Sequence, residues 1–245
     1  MTDQLDEINP WSALYYWIKD DPRPAIVIYF FIITVDTIEI VYDTSFATLL
    51  TSFGYPFAFA LTVMTIVFGF QTAEIKAIKT RILLSICTKS FILFFSATIL
   101  FLLAIVAVAM FKGLLPPYLF AATLELAAIL SFALVFSLIG TWVPARTVGK
   151  RTKLHHAFSR GLDGFSWTFS RLLYGPAALI IASMLPTMIV NLLANGGVEQ
   201  SVATQIFRSC VEHIFYTAAI IQAAIILTVA FQRGVDASAA EFQMG

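Results

Sequence analysis

Long apolar stretches recur along the chain, separated by short polar segments. Most of them approach the roughly 20 residues that an α-helix needs to cross the hydrocarbon core of a bilayer. We identify six such stretches as predicted transmembrane helices. The first begins after Pro24, and the others cover approximately residues 55–70, 91–111, 117–143, 174–195 and 213–232. This pattern predicts an all-α, polytopic integral membrane protein, a bundle of about six transmembrane helices with short interfacial helices.

The N-terminal segment, residues 1–23, predicts a short helix at the membrane surface. Asn9 and Pro10 are typical of the capping residue and the first turn of a helix. The apolar and aromatic side chains that follow fall on one helical face: Trp11, Leu14, Tyr15 and Ile18. Because Trp and Tyr favour the headgroup region, we expect this helix to lie in the interface.

A second amphipathic segment covers about residues 146–172, between the fourth and fifth predicted spans. Its apolar side chains recur at helical spacing: Phe158, Leu162, Phe165, Phe169 and Leu172. Basic residues are interspersed, and Gly161 and Gly164 weaken the helical pattern. The segment is typical of a helix resting on an anionic inner leaflet. The alternative is a docking surface for a cytoplasmic partner.

The remaining segments are too short to form a separate soluble domain. We therefore predict one membrane domain over residues 24–232, followed by a tail over residues 233–245. The expected surroundings of this domain are the lipid bilayer and further subunits, in a homo- or hetero-oligomer.

The distribution of basic residues predicts the orientation in the membrane. One side carries most of them: Lys19, Arg23, Lys76, Lys79, Arg81, Arg146, Lys150, Arg151, Lys153, Arg160, Arg171 and Arg233. The other side carries only Lys112 and Arg208. The positive-inside rule then puts both termini in the cytoplasm. Short loops and small size are typical of a multi-pass protein of a bacterial inner membrane.

Composition excludes several other classes of protein. Of the 245 residues, 59% are hydrophobic and 12% are charged, and the formal net charge is zero. Bulk positive charge for binding nucleic acid is therefore missing, and no nucleic-acid partner is expected. A disordered chain would need low hydrophobicity and high charge. Two cysteines, Cys87 and Cys210, exclude a disulfide scaffold, and their predicted positions near opposite faces argue against a bond between them.

Ionisable residues inside a membrane are costly and invite a functional interpretation. Asp36, Glu39 and Asp43 follow the spacing i, i+3, i+7, which puts all three on one helical face. Asp36 lies roughly 18 Å from the cytoplasmic start of its span. Glu125, in the fourth span, is predicted at a similar depth in the outer half of the bilayer.

Other polar residues accompany these acids in the outer halves of the spans. Asn191 lies in the fifth span, and Arg208 and Glu212 form an i, i+4 pair at the outer end of the sixth. His213 is predicted at headgroup level. Arg208 is the only fixed positive charge among them, so it cannot pair with all the acids. The acids are therefore expected to be protonated, to bind cations in a water-filled vestibule, or to pair with another subunit. Carboxylates suit hard cations, but the identity of any metal stays open.

Three hypotheses for function follow. The leading one is a transporter or channel component that handles a cation, a proton-coupled solute or a cationic substrate through an acidic, outward-facing cavity. The residues expected to handle charge there are Asp36, Glu39, Glu125, Asn191, Arg208 and Glu212. The alternative is a non-catalytic membrane anchor or scaffold subunit of a larger complex, and the third is a membrane-embedded lipid-modifying enzyme. No metalloprotease, serine hydrolase or P-loop motif occurs, so we assign no catalytic residue and expect no cofactor.

Overall fold

Every regular element in the described part of the chain is a helix. The computed structural model describes residues 9–42, 45–68, 80–110, 116–148, 153–195 and 201–244. The helices are α1 (Pro10–Asp20), α2 (Arg23–Tyr42), α3 (Ser45–Phe68), α4 (Thr80–Ala109), α5 (Pro117–Ile139), α6 (Trp142–Thr147), α7 (Leu154–Asp163), α8 (Phe165–Leu172), a π-helix (Leu173–Ala177), α9 (Ala178–Asn195) and α10 (Val202–Met244). The prediction of an all-α membrane protein is confirmed.

Four helical stretches of the described residues are long and apolar enough to cross a membrane. They are Thr80–Ala109, Ala122–Thr147, Phe165–Val190 and Val202–Gly234, and a shorter apolar helix covers Gly54–Phe68. These five coincide with the second to sixth predicted spans. Helix α2, the first predicted span, has 20 residues and is not among these stretches of the described residues. The count of six spans therefore stays a prediction.

Several helices are longer than the apolar spans from which they were predicted. Helix α10 has 43 residues and contains the whole predicted span 213–232. Helix α4 begins at Thr80, well before the predicted start at residue 91. Its sequence has no glycine or proline, so nothing in the polar first turns ends the helix. Hydropathy thus located the apolar centres of these helices and not their ends.

The chain divides into two compact units. Unit 1 comprises residues 1–70 and 175–225, and unit 2 comprises residues 71–174 and 226–245. In unit 1, α2 packs against α3. In unit 2, α4 packs against α5 and α6, and α5 also packs against α7 and α8. The apolar cores are built from fully buried side chains, such as Ile32, Phe59 and Ile221 in unit 1 and Ile86 and Leu93 in unit 2.

Helix α1 begins as its sequence predicts. The Asn9 side-chain oxygen accepts a hydrogen bond from the Trp11 backbone N–H at 3.1 Å, and Pro10 occupies the first turn. The buried side of the helix, however, is formed by Pro10, Ala13 and Leu14, whereas Tyr15 is exposed. The position of this helix in the membrane interface stays a prediction.

The amphipathic segment forms two helices, α7 and α8, that are separated at Gly164. Phe158 and Leu162 are exposed on α7. The expectation that Gly161 weakens the helix is wrong, because Gly161 is helical and buried. A Cβ atom at this position would lie 2.0 Å from the Leu138 carbonyl oxygen, so glycine is what lets α7 approach the backbone of α5.

Candidate functional site

A carboxylate and an imidazole meet inside unit 1. Asp36 Oδ2, on α2, lies 3.3 Å from His213 Nε2, on α10, which is within ion-pair distance although the angle does not suit a hydrogen bond. The Ser209 hydroxyl, one turn before His213, donates a hydrogen bond to the same carboxylate oxygen. The exposed fractions of the side chains are 25% for Asp36 and 7% for His213. Both groups are thus largely withdrawn from the surroundings and depend on each other for compensation.

The second nitrogen of the imidazole faces a tyrosine from a third helix. His213 Nδ1 lies 3.4 Å from the Tyr55 hydroxyl, on α3. The Tyr216 ring lies beside both, with centroids 6.2 Å from the Tyr55 ring and 5.9 Å from the His213 ring. Asp36, His213 and Tyr55 therefore form a row of polar groups across three helices.

A second ion pair lies next to this row on α10. Arg208 Nε is 3.7 Å from Glu212 Oε1, and the Thr187 hydroxyl, on α9, donates a hydrogen bond to the same oxygen. The Arg208 guanidinium also interacts electrostatically with Asp36. Arg208 and Glu212 are four residues apart, as are Ser209 and His213. The two members of each pair therefore lie one helical turn apart on the same face of α10.

His213 lies eleven residues from the start of the apolar stretch Val202–Gly234, which corresponds to roughly 16 Å along the helix axis. The residue is buried by protein. Its position at headgroup level stays a prediction.

The structure brings together three of the six residues expected from the sequence: Asp36, Arg208 and Glu212. Glu125 belongs to unit 2, where its side chain on α5 is exposed. Glu39 and Asn191 lie on helices α2 and α9, but their side chains are outside the described residues, as is Asp43. Besides Arg208, the structure places the His213 imidazole beside Asp36.

Three side chains of the site were missed in the sequence, namely Tyr55, Thr187 and Ser209, and His213 was noted at headgroup level but not assigned to the site. One signal was available, since Ser209 and His213 repeat the i, i+4 spacing of the neighbouring Arg208 and Glu212. An acid within one span also requires a partner from another, and His213 is the nearest basic side chain to Arg208 in the sequence. Nothing in the local pattern singles out Tyr55 or Thr187.

Among the described residues, no group of three or more His, Cys, Asp and Glu side chains is placed to hold a metal ion. Both cysteines, Cys87 and Cys210, are free, and the Cys210 carbonyl accepts a hydrogen bond from the Tyr29 hydroxyl at 3.1 Å. The chain matches no protein-family model, no curated protein and no solved structure in comparisons of sequence and fold.

Proposed function

We propose that this membrane protein is a transporter or channel component in which proton binding at Asp36 and His213 is coupled to the passage of a cation or a cationic solute. The observation that carries the proposal is the distance of 3.3 Å between Asp36 Oδ2, on α2, and His213 Nε2, on α10. An ionisable residue within a membrane span is costly, and such residues mark proton and ion pathways in many membrane proteins.

The coupling follows from the charges of the pair. A protonated imidazole neutralises the Asp36 carboxylate, whereas a neutral imidazole leaves the carboxylate free to bind a cation. A cation and a proton therefore compete for the same site, which is the basis of exchange. Imidazole suits this role because it changes charge near physiological pH. The Tyr55 hydroxyl would pass the proton to or from His213.

The orientation is part of the proposal. With both termini in the cytoplasm of an inner-membrane protein, the site would lie in the outer half of the bilayer and open outwards. Glu39 and Asn191, on the same helices as Asp36 and Thr187, would extend it. Glu125 would be a separate acidic group of unit 2.

Proton movement into liposomes tests the proposal directly. The purified full chain is reconstituted into liposomes that contain a pH-sensitive dye, and a potassium diffusion potential is imposed with valinomycin. Sodium, lithium and tetraethylammonium are added outside in turn. We expect proton movement above that of protein-free liposomes with at least one of these cations, and we expect Asp36→Asn and His213→Gln to abolish it.

His156→Gln is the matched control, because His156 is an exposed histidine of α7 in the other unit. Its proton movement should equal that of the wild type. Wild-type liposomes indistinguishable from protein-free ones with every cation would refute the proposal. Full activity in Asp36→Asn would do the same.

A second candidate function, a membrane subunit that anchors a larger complex, is favoured by Glu125. This acid is exposed on the apolar stretch Ala122–Thr147. Exposed carboxylates inside membrane spans are rare, and a basic residue of another subunit would compensate for it. Under this proposal, extraction in mild detergent yields a hetero-complex, and Glu125→Gln lowers its recovery without changing proton movement. A homogeneous particle containing only this chain would count against it.

A further inference from the structure

Unit 2 brings together three basic side chains from three different helices. Lys89 lies on α4, Arg146 on α6 and Arg160 on α7. The Lys89 ammonium is close enough to Arg146 and Arg160 to be repelled by both. Mutual repulsion raises the electrostatic free energy of such a cluster unless an anion balances the charges.

Helices α4 and α6 hold two of these cations in a defined register. Arg146 Nε donates a hydrogen bond to Ser85 Oγ at 3.1 Å, and Lys89 Nζ lies 4.4 Å from the centroid of the Trp142 ring. Ser85 and Lys89 are one turn apart on α4, as are Trp142 and Arg146 on α6. The two contacts cross-link the helices and keep both cations on the same side of the pair.

Arg160 belongs to the amphipathic segment, and its charge acts on the Lys89 ammonium. Its guanidinium carbon lies 5.5 Å from the centroid of the Phe231 ring. Its Nε and Nη2 atoms are buried and have no hydrogen-bond partner among the described protein groups. Burial lowers the pKa of the Arg160 guanidinium, which reflects a charge held away from solvent.

Buried guanidinium N–H groups are normally paired. The cluster thus combines positive charge with the unused hydrogen-bond donors of Arg160.

No carboxylate balances the cluster within the part of the chain that the structure describes. The ion pairs found there are Arg23–Asp21, Arg208–Glu212 and His213–Asp36, and none includes Lys89, Arg146 or Arg160. An acceptor-rich anion that offers several oxygens would satisfy both the charges and the donors. Phosphate has this chemistry, and arginine is the side chain that binds it with two parallel hydrogen bonds.

We propose that Lys89, Arg146 and Arg160 bind a phosphate group, either of an anionic phospholipid headgroup or free in solution. The lipid source is supported by Phe158 and Leu162, which are exposed and apolar on the helix that carries Arg160. A basic cluster at the inner face of a membrane protein is well placed for such a headgroup. The proposal concerns unit 2 and does not depend on proton coupling in unit 1.

Thermal unfolding of the full chain in neutral detergent measures the binding. The protein is titrated with mixed micelles containing dioleoyl phosphatidic acid, with micelles containing dioleoyl phosphatidylcholine, or with inorganic phosphate against chloride at equal ionic strength. We expect phosphatidic acid to raise the unfolding midpoint in a saturable way. Arg160→Gln should weaken this apparent affinity about tenfold or more, since it removes charge-assisted hydrogen bonds.

Lys153→Gln is the matched control, because Lys153 is an exposed cation at the start of the same helix and its loss changes the net charge equally. It should leave the affinity unchanged. Arg146→Gln provides a second variant of the cluster in case Arg160→Gln does not fold.

The outcomes separate the sources of phosphate from a nonspecific effect. Stabilisation by phosphatidic acid alone identifies a lipid site, and stabilisation by inorganic phosphate as well identifies a site for the phosphate group itself. Either result supports the proposal if Lys153→Gln retains it. No stabilisation of the wild type by either probe would overturn it. Equal weakening in Lys153→Gln and the cluster variants would also overturn it, because the attraction would then be diffuse.

Discussion

Asp36 Oδ2, on α2, and His213 Nε2, on α10, lie 3.3 Å apart in the interior of unit 1. The pair joins the helix with the most acidic predicted span to the longest helix of the described chain. Each member compensates for the burial of the other. Removing one member alone therefore differs physically from removing both.

A double-mutant cycle measures this dependence. We expect Asp36→Asn and His213→Gln each to lower the free energy of unfolding by about 1–3 kcal/mol, because each leaves a buried polar partner without its counterpart. The double variant should lose less than the sum, with a coupling of about 1 kcal/mol or more. Unfolding by added denaturing detergent, followed by circular dichroism, gives the three values.

The control cycle combines Asp36→Asn with His156→Gln, which lies in the other unit, and should be additive to within about 0.5 kcal/mol. The same additivity for Asp36→Asn and His213→Gln would contradict an energetic link between these two side chains.

Gly161 makes the packing of α7 on α5 possible, so a methyl group there should be costly. A Cβ atom would lie 2.0 Å from the Leu138 carbonyl oxygen, and a backbone atom of a packed helix cannot move away cheaply. We expect Gly161→Ala to lower the free energy of unfolding by about 1–3 kcal/mol. The thermal unfolding midpoint in detergent would show this as a clear decrease.

Gly164→Ala provides the comparison three residues further on. The nearest atom to a Cβ atom there is the Arg160 carbonyl oxygen at 3.5 Å, which is an ordinary contact. Its effect should stay below about 1 kcal/mol in either direction. Equal losses in both variants would contradict a specific role for the close approach of Gly161 to Leu138.

Gln222 is a fully buried side chain of α10 whose amide oxygen and nitrogen have no hydrogen-bond partner among the described groups. Its amide lies against Gly175 of the π-helix, where a Cβ atom would be 2.8 Å from Gln222 Oε1. Replacing an unsatisfied amide with an apolar group of similar size removes a desolvation cost. We expect Gln222→Leu to raise the free energy of unfolding by about 1 kcal/mol, measured by thermal unfolding. A decrease of that size would mean that the amide is satisfied in the membrane.

Acid sensitivity at the start of α2 depends on Asp21. Side-chain hydrogen bonds from Arg23 Nε, at 2.8 and 2.9 Å, lower the pKa of the Asp21 carboxyl below its ordinary value. The Arg23 backbone N–H adds a further hydrogen bond of 3.0 Å. Because the pKa is lower in the folded state, this contribution is complete above the unfolded pKa of about 3.9 and disappears as the pH falls through the folded value.

Carbon-detected NMR of the aspartate carboxyls, in detergent between pH 6 and pH 2, checks this assignment. The Asp21 resonance should titrate below the ordinary range in the wild type and return towards it in Arg23→Gln. An unchanged Asp21 titration in Arg23→Gln would contradict the role of the guanidinium.

Local features of the protein could be recognised from the sequence because they depend on neighbouring residues. Apolar runs of span length identify a membrane protein. Because lipid offers no hydrogen-bond partners, such a run must pair its own backbone groups, and an α-helix does so. Asn9 caps α1 as expected because its side chain reaches an N–H two residues away. Helix ends were less accurate. Helix α4 begins well before its predicted start in a segment without glycine or proline, and α10 continues through Gly234.

The site itself was decided by the tertiary structure. The sequence singled out Asp36, Arg208 and Glu212 as costly charges, but their partners lie on other helices. Which side chain of α10 faces Asp36 depends on how α2 and α10 are rotated about their axes, and this rotation is set by packing rather than by local pattern. His213 became a buried partner of Asp36 for that reason, and Gly161 became a packing residue because α5 lies against it.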